Sequence, residues 1–470
     1  MNRIIIVLIV SLLSVQSNAQ NKALLYDFVA LPQSLLLNPG AEVRFDKHIG
    51  LPALSQFHLN LGVKGIRAFD IFADDGRDIN VKIREQLEGM DKRDFYTFTQ
   101  QLELLNFGWR NEKKKLYFSG GLYEELDFIA YFPKDFATFT LIGNEDPLGK
   151  ELDISQLKST AALLTVFHFG MQKKMNKQLT VGGRLKIYSE LASYRAIDNS
   201  GKFITEQLED GNNVYTHTLE SVNINIQTSG YAAINTLNVA GGENVSKDIQ
   251  SELTSRALLG GNLGMGIDFG LTYQFEDNWV VTGSVTDLGF ITHSKDVETY
   301  QVRGTYEFEG LETPTKNDPI RLDTFLEDLE SRIAQDTITR SYTTFRSAKL
   351  QGSLRKSFHR ITNSSGCDCW WQNDDEEQYA GAYGVQVFSQ FRPRGPQFAA
   401  SAFIYRRIFS NLRVKATYTL DSFSFHNVGL LLSTNISVFN FYIAGDNLID
   451  YANLAKARSA SLQFGFNLIF

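Results

Sequence analysis

The chain has 470 residues, 43% apolar and 21% charged, with a formal net charge of −7. That composition is ordinary for a folded chain and excludes wholesale disorder, and the acidic balance leaves no basic footprint for nucleic acid. Two cysteines exclude a disulfide scaffold, while nine prolines beside 35 Phe and 19 Tyr favour strands.

Residues 1–19 read as an export signal: Asn2-Arg3 is a short positive start, Ile4 to Leu13 an apolar stretch, and Ser17-x-Ala19 a small-residue cleavage site. About ten apolar residues are too few to cross a hydrocarbon core, which takes about 20. No Cys stands at the cleavage point to carry a lipid. Residues 20–55 read as a separate N-terminal segment ahead of the strands. Pro32 interrupts Tyr26 to Leu37 too much for a membrane strand, and Asn38-Pro39-Gly40 predicts a turn.

From residue 56 onward period-two alternation dominates. In Gly264 to Phe275, Met265, Ile267, Phe269, Leu271, Tyr273 and Phe275 alternate with Gly264, Gly266, Asp268, Gly270, Thr272 and Gln274. Gln178 to Tyr188, Ala348 to Arg355 and Asn411 to Asp421 repeat the pattern. No later run is apolar over about 18 residues, yet several alternating runs reach the 9 to 11 that a tilted membrane strand needs. Strands in lipid must close on one another, so residues 56–470 predict an all-β, transmembrane antiparallel barrel. We place about 14 strands, near 56–67, 95–110, 113–128, 159–174, 177–192, 213–226, 262–276, 278–290, 341–358, 379–392, 396–409, 411–422, 424–434 and 436–470. The last range reads better as two strands, and 298–308 as a further candidate, so 16 is the other even number.

A cation facing lipid at the midplane costs roughly 2–4 kcal/mol, which turns Arg184, Lys186, Arg413 and Lys415 inward. Lys349, Arg355 and Asp268 join them as lumen-facing candidates. Short connections at Lys173–Lys177, Glu276–Asn278 and Phe409–Asn411 fit hairpins. In the last strand Ala460, Leu462, Phe464, Phe466, Leu468 and Phe470 alternate with small or polar residues. Ending on Phe470, it looks like the signal by which the barrel assembly machinery recognises outer-membrane barrels.

Helical spacing appears in three insertions: Asp318-Pro319 with Leu322, Phe325, Leu326, Leu329 and Ile333; Ser246 as a cap before Ile249, Leu253 and Ala257; and Ile79, Ile83, Leu87 and Met90. The seven His are scattered and no catalytic motif occurs, so we expect neither an enzyme nor a metal or other cofactor. Cys367-Asp-Cys369, followed by Trp370-Trp371, and the acidic run Asp374–Glu377 read as exposed loop.

The segments Gly264 to Tyr273, Phe275 to Trp279, Thr286 to Ile291, Leu31 to Gly40, Gly445 to Leu448 and Phe464 to Phe470 together resemble a family of uncharacterised outer-membrane proteins of Bacteroidota, domain-of-unknown-function family 5723. That family is similar in layout to FadL-type transporters of hydrophobic compounds and to the PorV-type shuttle of type IX secretion. The resemblance implies a Gram-negative outer-membrane location with both termini periplasmic, and makes residues 20–55 an N-terminal periplasmic or hatch segment with its hatch turn at Asn38, Pro39 and Gly40. Outer-membrane lipid and a hydrophobic small-molecule ligand are the expected partners, with no nucleic acid. Two functions follow from it: passive FadL-like uptake of small hydrophobic or amphipathic molecules, or a PorV-like binding or secretion-accessory protein without transport.

Overall fold

The structure, a computed structural model, describes residues 22–111, 113, 115–142, 148–207, 215–240, 245–308, 334–360, 379–421 and 426–470. In chain order the strands are β1 (Lys47–Gly50), β2 (Gln56–Lys64), β3 (Phe95–Asn111), β4 (Leu116–Tyr131), β5 (Glu151–Asp153), β6 (Ser159–Lys174) and β7 (Leu179–Ala196). There follow β8 (Ser200–Gln207), β9 (Tyr215–Ser229), β10 (Asn262–Glu276), β11 (Trp279–His293), β12 (Val297–Phe308), β13 (Ala334–Ile338) and β14 (Tyr342–Phe345). The last are β15 (Lys349–Arg360), β16 (Tyr379–Arg392), β17 (Gly395–Arg407), β18 (Leu412–Leu420), β19 (Asn427–Ile436), β20 (Phe439–Asp446) and β21 (Ser459–Ile469).

Fourteen strands close into an antiparallel barrel in the order β2, β3, β4, β6, β7, β10, β11, β15, β16, β17, β18, β19, β20 and β21. The ring is sealed where β21 pairs with β2, Phe464 opposite Phe57 and Leu462 opposite Leu59. Closure leaves no unpaired edge in the ring, which strands in lipid require. Alternation sets the two faces. On β10, Met265, Phe269, Leu271 and Tyr273 are exposed on the outside while Asp268 and Thr272 are buried inside. Exposed Leu185, Ile187, Val385, Val387, Ile404 and Ile443 extend the outer apolar band around the ring. An exposed apolar surface of this extent suits a barrel solvated by lipid.

The β3–β4, β6–β7, β10–β11, β17–β18 and β19–β20 connections are short and share one rim. The backbone N–H groups of Asp46 and Lys47 donate to the Phe470 carbonyl (2.8 and 3.1 Å) at that same rim. Near it Phe107, Trp109, Phe118 and Phe169 stack in sequence, with centroids 5.3 to 6.1 Å apart, and such rings belong at a membrane interface. The opposite rim carries the larger insertions. There Ile66, Ile71, Leu87, Met90 and Ala137 form one apolar cluster that packs helices Ala68–Phe72, Ile79–Glu88 and Lys134–Ile142 together. Asp78 caps the second of these helices, accepting from the N–H groups of Asn80 and Val81 (2.8 and 3.3 Å). Beside them β5, β8, β9, β12 and β13 form a sheet that continues past the barrel.

The strand number agrees with the expected 14, but the membership differs. The range 213–226 belongs to β9, which pairs with β8, β12 and only the far end of β7, so it lies outside the ring. The final range divides into β20 and β21 and restores the number. The range 341–358 also divides, into β14 and β15. Ser246 lies inside helix Val245–Ser255 instead of capping it. The export segment, the helix expected from Asp318, Cys367 to Trp371 and Asp374–Glu377 lie outside the described residues.

Two local departures matter for the lumen. The first wall strand is interrupted at residues 51–55 between β1 and β2, facing a register shift between Glu103 and Leu105 on β3. A second irregularity stands between Ile267 and Phe269 on β10, opposite Thr286 and Asp287 on β11. Asp287 there takes a left-handed conformation (φ 61°). The extra residue breaks strict alternation, so consecutive Thr286 and Asp287 are both buried inside.

Candidate functional site

Residues 22–46 run inside the barrel, where Pro32 and helix Ser34–Leu37 keep them out of the sheet. Leu24, Leu25, Phe28 and Leu31 pack on Leu431, Tyr442 and Ala444 of β19 and β20, with Tyr405 of β17 beside them. Lower down, Leu35, Ala41, Val43 and Phe45 pack with Tyr117 of β4. Burying several large apolar side chains at about 1.5–3 kcal/mol each is enough to hold such a segment in place.

The turn at Asn38-Pro39-Gly40 sits against the wall where β7 and β10 are thinnest. Asn38 Oδ1 accepts from the Gly40 N–H (2.9 Å), Asn38 Nδ2 donates to the Leu271 carbonyl (3.2 Å), and Thr272 Oγ1 donates to the Gly40 carbonyl (2.8 Å). A Cβ on Gly182 would lie 2.0 Å from the Pro39 carbonyl oxygen, and one on Gly270 would lie 2.0 Å from Asn38 Oδ1. Both glycines are therefore needed for the close approach of the turn.

Charged groups then tie the segment to the wall. Arg184 donates to the carbonyls of Leu35 (2.9 Å) and Leu36 (2.6 Å) and pairs with Asp268 (2.5 Å). Lys186 bridges Asp268 (3.0 Å) and Asp287 (2.6 Å), and Lys349 bridges Asp287 (2.8 Å) and Glu125 (3.6 Å). Arg346 continues the ladder to Glu125 (3.0 Å) and lies over the Tyr188 ring (5.2 Å). Arg392 pairs with Asp127, two residues along β4 (2.5 Å). Charges removed from water are tolerated only when paired and hydrogen-bonded, and this ladder alternates sign through most of its length.

On the opposite wall Lys415 is fully buried, donating to the carbonyls of Tyr26 (2.6 Å) and Ala23 (3.1 Å) and to Gln386 (3.2 Å), with its ammonium 4.5 Å from the Phe403 ring. Arg355 pairs with Asp27 (3.0 Å) and Glu42 (3.5 Å) of the N-terminal segment. Arg413 lies on the same face of β18 as Lys415, nearer the short-connection rim. Gln33 donates to the Ser55 carbonyl (2.9 Å), Glu103 (3.1 Å) and Asn467 (2.9 Å), satisfying backbone freed by the interrupted first strand.

The lumen thus brings Arg184, Lys186, Asp268 and Lys349 together in one network, and places Arg355 and Lys415 at separate contacts. Asp287, Glu125 and Arg346 complete the network and were missed by the sequence reading. Strict alternation puts Asp287 on the lipid side, and its position before Leu288-Gly289 was the only hint of an irregular turn. Phe464, Phe466, Leu468 and Phe470 lie on the outer face of β21 or at its end, with Gln463 and Asn467 buried inside.

The model of a family of unknown function, DUF5723, matches residues 39–446. Among curated proteins none matches significantly. Among solved structures the chain is similar to the toluene transporter TbuX of Ralstonia pickettii, at 10% identity over 93% of this chain and 94% of that one, with a TM-score of 0.42. A FadL homologue of Pseudomonas aeruginosa gives 8% identity over 93% of both chains and a TM-score of 0.38. The translocator domain of the autotransporter NalP from Neisseria meningitidis gives 6%, 91% and 90% coverage, and 0.30.

Proposed function

The chain belongs to the DUF5723 family, and on the geometry of its lumen we propose that it is an outer-membrane conduit for passive uptake of small amphipathic molecules, with residues 22–46 as a movable hatch. The short-connection rim, where β1 begins and β21 ends, faces the periplasm in this reading. The aromatic end of β21, Phe464 to Phe470, serves in it as the assembly signal.

The observation that carries the proposal is the seat of residues 23–31. Leu24, Leu25, Phe28 and Leu31 cover an apolar wall of Leu431, Tyr442 and Ala444, and the carbonyls of Ala23 and Tyr26 occupy the Lys415 ammonium. Withdrawal of the hatch exposes an apolar groove with the buried Lys415 ammonium at its edge, and also frees Arg355 from Asp27. A hydrophobic body with a carboxylate head satisfies both surfaces, and the desolvated ammonium is left unpaired by a neutral analogue.

The test is uptake of a fluorescent medium-chain fatty acid into proteoliposomes. The intact protein is expected to speed entry over empty vesicles, and Lys415→Met to slow the acid by about tenfold while leaving its methyl ester unaffected, the scale of one lost charged hydrogen bond. Equal rates with and without the protein would sink the proposal.

A further inference from the structure

The short-connection mouth of the lumen holds a second, chemically different cavity. Below the Asn38–Gly40 turn a cavity of about 410 Å³ opens between the hatch and the ends of β3, β6, β10 and β15. That volume is within the range of small-molecule sites, about 300–1,000 Å³. Among the described residues six cations line it, Arg44, Arg110, Lys115, Lys174, Lys177 and Arg355, against two carboxylates, Glu42 and Asp277.

The arginines have acidic neighbours. Arg44 and Arg355 share Glu42 (3.4 and 3.5 Å), Arg355 also meets Asp27 (3.0 Å), and Arg110 pairs with Asp46 (3.2 Å). With Asp27 and Asp46 included, the cations still outnumber the carboxylates among the described residues. Among the described residues Lys115 and Lys177 have no carboxylate within salt-bridge distance, and both stand on hairpin turns that border the cavity. Arg355 adds an independent sign: its Nε is buried and, among the described residues, has no hydrogen-bond acceptor. A guanidinium donor left without an acceptor beside a cavity rich in positive charge is matched by a planar or tetrahedral oxyanion. Cations gathered in a recess focus their field on such a ligand.

We infer that this cavity binds a small, water-soluble multivalent oxyanion, its charge bridging the turn lysines and Arg355. The site is distinct from the Lys415 groove: it lies on the other side of the hatch turn, is predominantly polar, and is reached from water at the rim. Since Glu42, Val43 and Arg44 of the hatch form part of its lining, an occupied cavity also braces the hatch from below.

The experiment is calorimetric titration of the intact protein in detergent with inorganic pyrophosphate and, separately, with citrate, at constant ionic strength. Saturable binding of one equivalent of either is expected, and the preferred one identifies phosphate or carboxylate chemistry. The Lys115→Gln/Lys174→Gln/Lys177→Gln variant is expected to weaken it at least tenfold, whereas Lys92→Gln/Lys247→Gln at the other rim leaves it unchanged. Retained heat-modifiable migration on gels verifies that the variants are folded. The inference is overturned if neither anion binds saturably, or if both sets of substitutions weaken binding equally. Neither outcome bears on fatty-acid flux through the Lys415 groove.

Discussion

Arg184 shows how one side chain couples the wall to the segment inside it. Its guanidinium reaches Asp268 and two carbonyls of the N-terminal segment, so replacing it by Met leaves those buried carbonyls without this donor and the Asp268 carboxylate with Lys186 and the Asp287 N–H alone. Breaking a buried pair from one side costs about 3–5 kcal/mol. Arg184→Met is therefore expected to lower the urea midpoint of the barrel in lipid vesicles, and the Arg184→Met/Asp268→Asn pair to recover part of that loss because no isolated charge remains. Strictly additive losses would show that the two residues do not act together. The inward direction of Arg184, Lys186 and Asp268 could be read from charge and alternation, since the lipid face would penalise all three. Asp287 could not: its burial depends on one extra residue opposite β10, and a shift of one position reverses the face of every residue beyond it.

At the scale of elements, alternation identified most wall strands because lipid on one side and a polar lumen on the other impose period two on both. It failed where that contrast ends. β9 alternates as well as a wall strand does, yet pairs outside the ring, where both faces meet water or protein. Of the three helices packed together at the long-connection rim, only Ile79–Glu88 was legible, as an isolated apolar spacing; Ala68–Phe72 and Lys134–Ile142, the partners it packs on, were not. Their packing carries a titrating group. Asp94, at the foot of β3, is held above the ordinary carboxylate range by burial, against the pull of the Asp91 N–H and of Lys64 at 3.8 Å. A raised carboxyl binds its proton more tightly in the packed form, so its contribution is fully present below the unfolded value near 3.9 and is lost as pH rises through the raised value. Amide exchange in residues 65–94, corrected for intrinsic rates, is expected to show a cap that loosens over that window relative to Asp94→Asn. Parallel profiles for the two proteins would remove Asp94 as the cause.

On the scale of the whole molecule, strand number and lumen content have to be considered together. Barrels of eight strands are filled by their own side chains, while those of 16 to 18 leave an aqueous channel. Fourteen strands approach the second case, and here the space is taken by residues 22–46, anchored by apolar contacts on one wall and by Arg184, Arg355 and Lys415 around the rest. The ring itself closes without that segment, since every wall strand has two neighbours and β21 returns to β2. Removing residues 22–46 is accordingly expected to leave a folded, heat-modifiable barrel, less stable because Arg184, Arg355 and Lys415 lose partners. In a planar bilayer the intact chain should be nearly silent and the shortened one should conduct in large, noisy steps, as an open lumen lined with unmatched charge would. Substituting Gly182→Val, which drives a side chain into the Pro39 carbonyl, should give brief openings between these extremes. If the shortened chain folds and remains as silent as the intact one, the wall side chains close the lumen by themselves, and the N-terminal segment is a structural filling and not a hatch.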